Sequence, residues 1–304
     1  MIPPVLLGVD WGTSRFRAYL VVAAGAVLAR IETGDGILSV APGGFETLFH
    51  QRLQAWLAQW PTLPVVLSGM ITSRNGWLEL DYQALPADGD SLAGAMRAHP
   101  VGNGRLLHFV PGLADLADDR APDVMRGEET QLLGLLSLAP ALPARVLLPG
   151  THSKWARIGQ RGIEGFRTYM TGECYAVLRE HSILGRLMRP GAADPAAFDK
   201  GLNDRRSGAA SLLQQLFAVR TLGLFERMPA TDLADYLSGL LIGDELAAAL
   251  AGDDDSPVHL VGSGPLVARY RRALEVFGVS GRVAGSDLAV LGQLALARKR
   301  GLVR

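Results

Sequence analysis

One cysteine, Cys174, stands in 304 residues. No intrachain disulfide and no cysteine-built zinc site can form from it, which fits a reducing compartment. Lysine is almost as scarce: Lys154, Lys200 and Lys299 are the three, and the other 27 bases are Arg. Neither sign of charge is in excess, since 30 bases face 30 acids. A general nucleic-acid binder usually carries a basic surplus, so no nucleic-acid partner is expected. The halves differ mildly, with 10 bases and 14 acids in residues 1–150 against 20 and 16 in residues 151–304. No apolar run approaches the roughly 18 residues of a membrane span. The opening Met1-Ile2-Pro3-Pro4 has no basic stretch followed by an apolar one. The expectation is therefore a cytoplasmic protein without signal peptide or membrane partner. The six His are scattered with no paired spacing, so any metal site should be a hard-cation site of carboxylate and phosphate oxygens. A P-loop, a GxGxxG turn, a protein-kinase catalytic loop and a GxSxG elbow are all missing.

What is present is an ordinary core-forming balance, 48% hydrophobic and 20% charged. The length suits one large or two medium domains. Val5 to Val9 reads as a buried strand entering the turn Asp10-Trp11-Gly12-Thr13-Ser14, followed by strands at 16–22 and 26–33 and a helix at 43–60. The pattern recurs about 140 residues on. A strand at 145–148 enters Pro149-Gly150-Thr151-His152-Ser153, followed by strands at 154–158 and 162–169 and a helix from Cys174 to Met188. Further strands are expected at 64–71, 106–110 and 258–261, and helices at 128–138, 196–225, 232–250 and 265–277. The acidic stretch 113–123 reads as loop or short helix, 253–255 as a solvated loop, and the last helix as starting with Ser286 as N-cap. The repetition predicts an α/β protein of two related domains, with ligands in the cleft between them.

Several residues in this frame suit chemistry. A glycine after a strand lets backbone N–H groups approach an anion, and Thr13 and Ser14 add hydroxyls. Asp10 at the strand end would be satisfied by a cation. An Asx turn explains the same residues without a ligand. Gly150-Thr151 repeats Gly12-Thr13 at the same place after its strand, and two such turns could clamp a polyphosphate. His152, Ser153 and Lys154 follow with donors; the plain alternative for Lys154 is an exposed strand lysine. Gly262-Ser263-Gly264 would let a purine or ribose lie close to the backbone, unless it is a simple strand–helix turn. Glu128 and Glu129 open a helix, where one acid serves the helix dipole and the other could act as general base. Ser68-Gly69-Met70 and the segment from Thr168 through Thr171 to Glu173 look like loops lining a polar ligand. Arg167, Arg74 and Arg17 are candidates for holding a carboxylate.

Taken together, these segments resemble a known family. Asp10-Trp11-Gly12-Thr13-Ser14 is similar to the first phosphate motif of the actin–hexokinase sugar-kinase superfamily. Met125 to Gln131, Leu148 to Trp155, Thr168 to Glu173, Leu237 to Gly243 and Val261 to Ser263 bring the chain closer to the 2-dehydro-3-deoxygalactonokinase family, with Pro-Gly-Thr-His-Ser-Lys-Trp the most specific run. Superfamily relatives usually begin the second phosphate motif with Asp, where Pro149 stands here.

The resemblance implies two ribonuclease-H-like (actin/hexokinase-like ATPase) domains, placed at 1–125 and 126–304. It implies ATP and Mg²⁺ as cofactors. It also implies phosphorylation of the 6-hydroxyl of a 2-keto-3-deoxy sugar acid in galactonate catabolism. Asp10 would position the metal and Glu129, or Glu128, would be the base. Gly12, Thr13, Ser14 and Gly150 to Lys154 would hold phosphates, and Gly262 to Gly264 the adenosine. Ser68, Gly69, Met70, Arg167, Thr171 and Glu173 would meet the sugar acid. A 2-keto-3-deoxygluconate kinase, a phosphoanhydride hydrolase and a non-catalytic sugar sensor stay open as alternatives, as does a homodimer.

Overall fold

The computed structural model describes residues 2–102, 104–138, 141–208, 210–252, 256–285 and 287–304. By contact the chain divides into two compact units. The first takes 1–143, 157–166 and 285–304; the second takes 144–156 and 167–284. The sequence reading expects contiguous halves meeting at 125/126. The contact division instead gives the first unit the helix that follows residue 127 and the last twenty residues.

The first unit opens with β1 (Leu6–Trp11), β2 (Phe16–Val21) and β3 (Val27–Thr33), then α1 (Phe45–Gln59) and β4 (Val65–Ser68). β1 and β4 are buried on both faces, as befits their unbroken apolar runs. β3 alternates between covered and exposed residues, as an edge strand should. Next come β5 (Gln83–Ala84), α2 (Gly89–Ala95), β6 (Arg97–Val101), β7 (Arg105–Phe109), β8 (Leu113–Asp115), β9 (Asp123–Met125) and α3 (Glu128–Ser137). The main sheet runs β3-β2-β1-β4-β7-β6, with β1, β4 and β7 parallel. Asp10 pairs in register with Ser68 on one side and Arg17 on the other.

In the second unit β10 (Ala144–Leu148) leads to the hairpin β11 (Ser153–Gly159) and β12 (Gly162–Tyr169), whose far end counts with the first unit. There follow α4 (Thr171–His181), α5 (Pro195–Arg206), α6 (Leu212–Leu224), α7 (Leu233–Ala249), β13 (Val258–Leu260), α8 (Gly264–Val276) and β14 (Gly281–Val283). The sheet order β12-β11-β10-β13-β14 repeats that of the first sheet, with β10, β13 and β14 parallel. The repeat read from the sequence thus appears as one strand order built twice in an α/β chain. Finally α9 (Leu288–Lys299) packs on α3, β1 and β4 of the first unit.

Some expectations need correction. The stretch 113–123, expected as loop or short helix, is framed by strands: β8 and β9 pair antiparallel, and one of its acids, Asp115, is buried under Arg120 (2.9 Å). The helix expected at 196–225 is two, because Ser207 and Gly208 end α5 and Ser211 caps α6. The helix expected from Cys174 starts at Thr171 and stops at His181, where Ser182 caps a short 3-10 turn. The edge strands β6 and β14 and the short α2 had no periodic signature; β6 tolerates Pro100 because it lies at the sheet edge. The expected Ser286 cap and the 253–255 loop lie outside the described residues. Among the described residues no helix is long and apolar enough to cross a membrane.

Candidate active site

In the first unit the strand end, a loop and a helix start converge. Trp11 is buried edge-on against Phe16 (4.8 Å between ring centres) and donates its indole N–H to the Asp35 carbonyl at 2.8 Å. That packing holds the end of β1, so Asp10 before it is fixed. The Gly12 N–H donates to the Arg15 carbonyl at 2.9 Å, closing the hairpin. The donors left to a ligand in this turn belong to Thr13 and Ser14, both exposed. Gly36 lies beneath them without room for a Cβ.

Asp10 Oδ2 accepts from Arg17 Nη1 at 3.2 Å. Burial raises its pKa, and the Arg17 charge works against that rise. Gly69, at φ +93°, presses its backbone to Asp10: an added Cβ would sit 3.1 Å from Oδ1. Gly127, at φ +107°, in turn abuts Gly69, and α3 starts there. The Gly127 N–H donates to Glu129 Oε2 at 2.6 Å, and the Arg126 N–H to Glu128 Oε2 at 3.0 Å. Glu129 is 0% exposed and its Oε1 meets no partner among the described residues. Desolvation, reinforced by the Glu128 charge, pushes its pKa up to about 8. Glu128 is half-exposed.

Behind this convergence lies a residue that sequence reading missed. Gln293 of α9, fully buried, donates both to the Val9 carbonyl and to Ser68 Oγ, each at 2.8 Å. It thus ties together the residues immediately before Asp10 and Gly69. Thr130 Oγ1 stands 3.4 Å from the same Ser68 hydroxyl and donates to the Gly127 carbonyl at 2.7 Å. Ser68 is therefore an interior anchor rather than an open ligand group, and Met70 packs against the core.

Of the guanidinium candidates, Arg17 is shared by Asp10 and Glu32, and Arg74 is 88% exposed near Glu79. Arg167 is exposed and belongs to the second unit. Arg126, not singled out from sequence, donates to Thr72 Oγ1 (2.7 Å) and the Leu80 carbonyl (2.9 Å) and stacks over Tyr82. Among the described residues it forms no ion pair.

In the second unit, the turn after β10 is braced by the start of α4. Gly172 sits so close to the Gly150 carbonyl that a Cβ would collide with it, and the Glu173 N–H donates to the Thr151 carbonyl at 3.0 Å. His152 and Glu173 pair side chain to side chain. Lys154 is not an exposed strand lysine; it is buried, with Nζ donating to Thr168 Oγ1 at 2.7 Å. Gly262 (φ +129°) and Gly264 (φ +78°) flank Ser263 at the start of α8. Beside them lies a cavity of about 260 Å³, lined by Gly150, Thr171 and Gly172, by Ser238, Leu241 and Ile242 of α7, and by Pro265, Leu266, Arg269 and Tyr270 of α8. So Thr171, expected on a sugar acid, borders this largely apolar space together with the second turn. Among the described residues no cluster of three or more His, Cys, Asp or Glu could hold a metal. A single carboxylate completed by phosphate oxygens and water remains a fitting Mg²⁺ environment, and Asp10 supplies one.

Comparison with known proteins matches residues 10–296 to the family model described as 2-keto-3-deoxy-galactonokinase. A relative from Rhizobium meliloti (strain 1021), provisionally assigned as a 2-dehydro-3-deoxygalactonokinase, is 41% identical over 96% of this chain and 95% of its own. The 2-dehydro-3-deoxygalactonokinase of Escherichia coli (strain K12) is 32% identical over 93% and 94%. A crystal structure from Sinorhizobium meliloti, provisionally assigned the same activity, superposes with a TM-score of 0.89 at 41% identity, covering 96% of this chain and 98% of that one. The ADPNP-bound activator of 2-hydroxyisocaproyl-CoA dehydratase from Clostridium difficile shares the fold alone, at 11% identity and a TM-score of 0.51 over 98% of this chain and 95% of that one.

Proposed function

The chain belongs to the 2-keto-3-deoxy-galactonokinase family, and from that premise we propose that it transfers the γ-phosphoryl group of ATP to the 6-hydroxyl of 2-dehydro-3-deoxygalactonate. The observation that carries this reading is the convergence of Asp10, Gly69 and the Gly127–Glu129 helix start in the first unit. A carboxylate at a strand end and another at a helix start, with Gly69 packed against Asp10 and Gly127 against Gly69, suit phosphoryl transfer to an alcohol.

The adenosine enters the second-unit cavity, which is apolar with few polar groups, as nucleobase sites are. The positive-φ glycines at 262 and 264 let it approach the backbone closely. Thr13 and Ser14 in the first unit, and Gly150 and Thr151 in the second, are the candidate phosphate donors; Lys154, turned to Thr168, stiffens the hairpin behind the second turn. Asp10 would hold Mg²⁺, and the ion would supply neutralisation of phosphate charge when bound. Glu129 accepts the hydroxyl proton. Its Oε1, without a partner among the described residues, is left for the hydroxyl, and a pKa near the working pH favours proton transfer. Arg126, a cation without an ion pair among the described residues, meets the sugar-acid carboxylate.

The test is ADP release across a panel of 2-keto-3-deoxy acids and parent aldoses. Galactonate-derived acid should be the preferred acceptor; ADP release without any acceptor would point to a hydrolase instead. Glu129→Gln should lower kcat by about a hundredfold or more, while Glu128→Gln changes it less than about tenfold. Near-wild-type turnover of a folded Glu129→Gln variant would remove it as base.

A further inference from the structure

Glu245 lies on the apolar helix α7, is 2% exposed, and pairs with no cation among the described residues. Its carboxylate is instead met by neutral donors from three other elements. Trp155 Nε1 of β11 donates to Oε1 at 2.8 Å. Thr171 Oγ1, at the start of α4, and Tyr270 Oη, of α8, donate to Oε2 at 2.5 and 2.6 Å. Ser153, at the start of β11, stands 2.8 Å from the same Tyr270 hydroxyl. A carboxylate is purely an acceptor and the indole purely a donor, so the directions are fixed. Tyr270 gives its proton to Glu245 and therefore accepts from Ser153.

Two of the three donor elements, α4 and α8, line the cavity, and β11 follows the turn that does. Thr171 and Tyr270 line it themselves, and Ser153 follows three residues after Gly150, which also lines it. Leu241 and Ile242, one turn before Glu245 on the same helix, form part of its wall. The carboxylate is thus the common acceptor behind the cavity.

We infer that Glu245 is a positioning residue for nucleotide binding, setting the second glycine turn, the α4 start and α8 in one register around the cavity. This rests on reading the cavity as the nucleotide site. No atom of Glu245 need touch ATP. Loosening it should weaken the nucleotide and spare the sugar acid, whose contacts proposed above, Arg126 and Glu129, lie in the other unit.

The test measures ADP affinity by calorimetry without sugar acid, together with KM for each substrate, in Glu245→Gln, Glu245→Asp, Tyr270→Phe and Leu266→Trp. Gln keeps size but presents an amide N–H₂ toward Thr171 and Tyr270, so those hydroxyls must reverse. ADP affinity and the KM for ATP should each worsen by about tenfold, with the sugar-acid KM within about twofold. Asp, which restores the pure acceptor, should recover part of the loss. Tyr270→Phe, which keeps the ring but cuts the link to Ser153, should behave like Glu245→Gln at smaller amplitude. Leu266→Trp fills the cavity mouth from an exposed position. If it binds ADP like the wild type, the cavity is not the nucleotide site and the inference falls with that reading. If Leu266→Trp weakens ADP but Glu245→Gln and Tyr270→Phe lower only Tm, the cavity reading stands and the positioning role is overturned.

Discussion

At the scale of single residues, Glu129 makes the sharpest demand on solution conditions. Its folded pKa is raised to about 8 from 4.5. The sign follows: in the folded chain the carboxyl keeps its proton where the unfolded chain has lost it. Its contribution to stability is therefore full below about pH 4.5 and is lost as pH rises through about 8. Wild-type Tm measured against Glu129→Gln should fall progressively over that interval, while kcat rises over the same range as the base ionises. A Tm difference independent of pH would contradict the burial argument. Arg126→Gln should raise the sugar-acid KM by about tenfold or more with little change for ATP, as loss of a charged hydrogen-bond partner does. Asp10, Gly12 and Gly150 were legible in the sequence because each follows an apolar strand at a turn. Gln293 and Glu245 were not. One polar residue inside an apolar helix carries no spacing signal, and its partners lie 284 and 90 residues away in the chain.

Elements meet closely where glycine permits it, and twice the arrangement is reciprocal. A Cβ on Gly134 of α3 would enter the Leu288 backbone of α9, and one on Gly292 of α9 would enter the Thr130 backbone of α3. Gly201 of α5 and Gly239 of α7 repeat this against Tyr236 and Phe198. Gly292→Ala should therefore destabilise by about 1–3 kcal/mol by forcing the helices apart. It should also lower kcat, because α3 carries Glu129. Gly94→Ala in α2, where nothing lies within 4 Å, should leave Tm unchanged or raise it. Denaturant melts of the two variants make the comparison. Most of these helices were legible from apolar periodicity. Their pairing was not, since periodicity marks an inward face without naming what it meets.

For the whole molecule, the doubled strand order was readable because strand, Gly-Thr turn, strand, strand and helix recur in the sequence. The return of α9 to the first unit was not readable, because the last helix has the same amphipathic signature whichever sheet it covers. A chain ending at residue 284 should keep the second unit but lose the first. Limited proteolysis should then cut within 1–143 and spare 167–284; equal resistance of both would show that α9 is dispensable.

The place of α9 also bears on how the protein is made. Synthesis runs from the N-terminus, so Val9, beside Asp10, leaves the ribosome 284 residues ahead of Gln293, which braces it. The second unit can fold while still tethered. The first must wait for α9, holding β1 and β4 without their covering helix until residues 288–299 have been made. Newborn chains therefore gain the candidate base and the candidate metal-binding carboxylate in final form only once α9 has emerged, and a message that stops before α9 would yield a product whose second unit is folded and whose first is not.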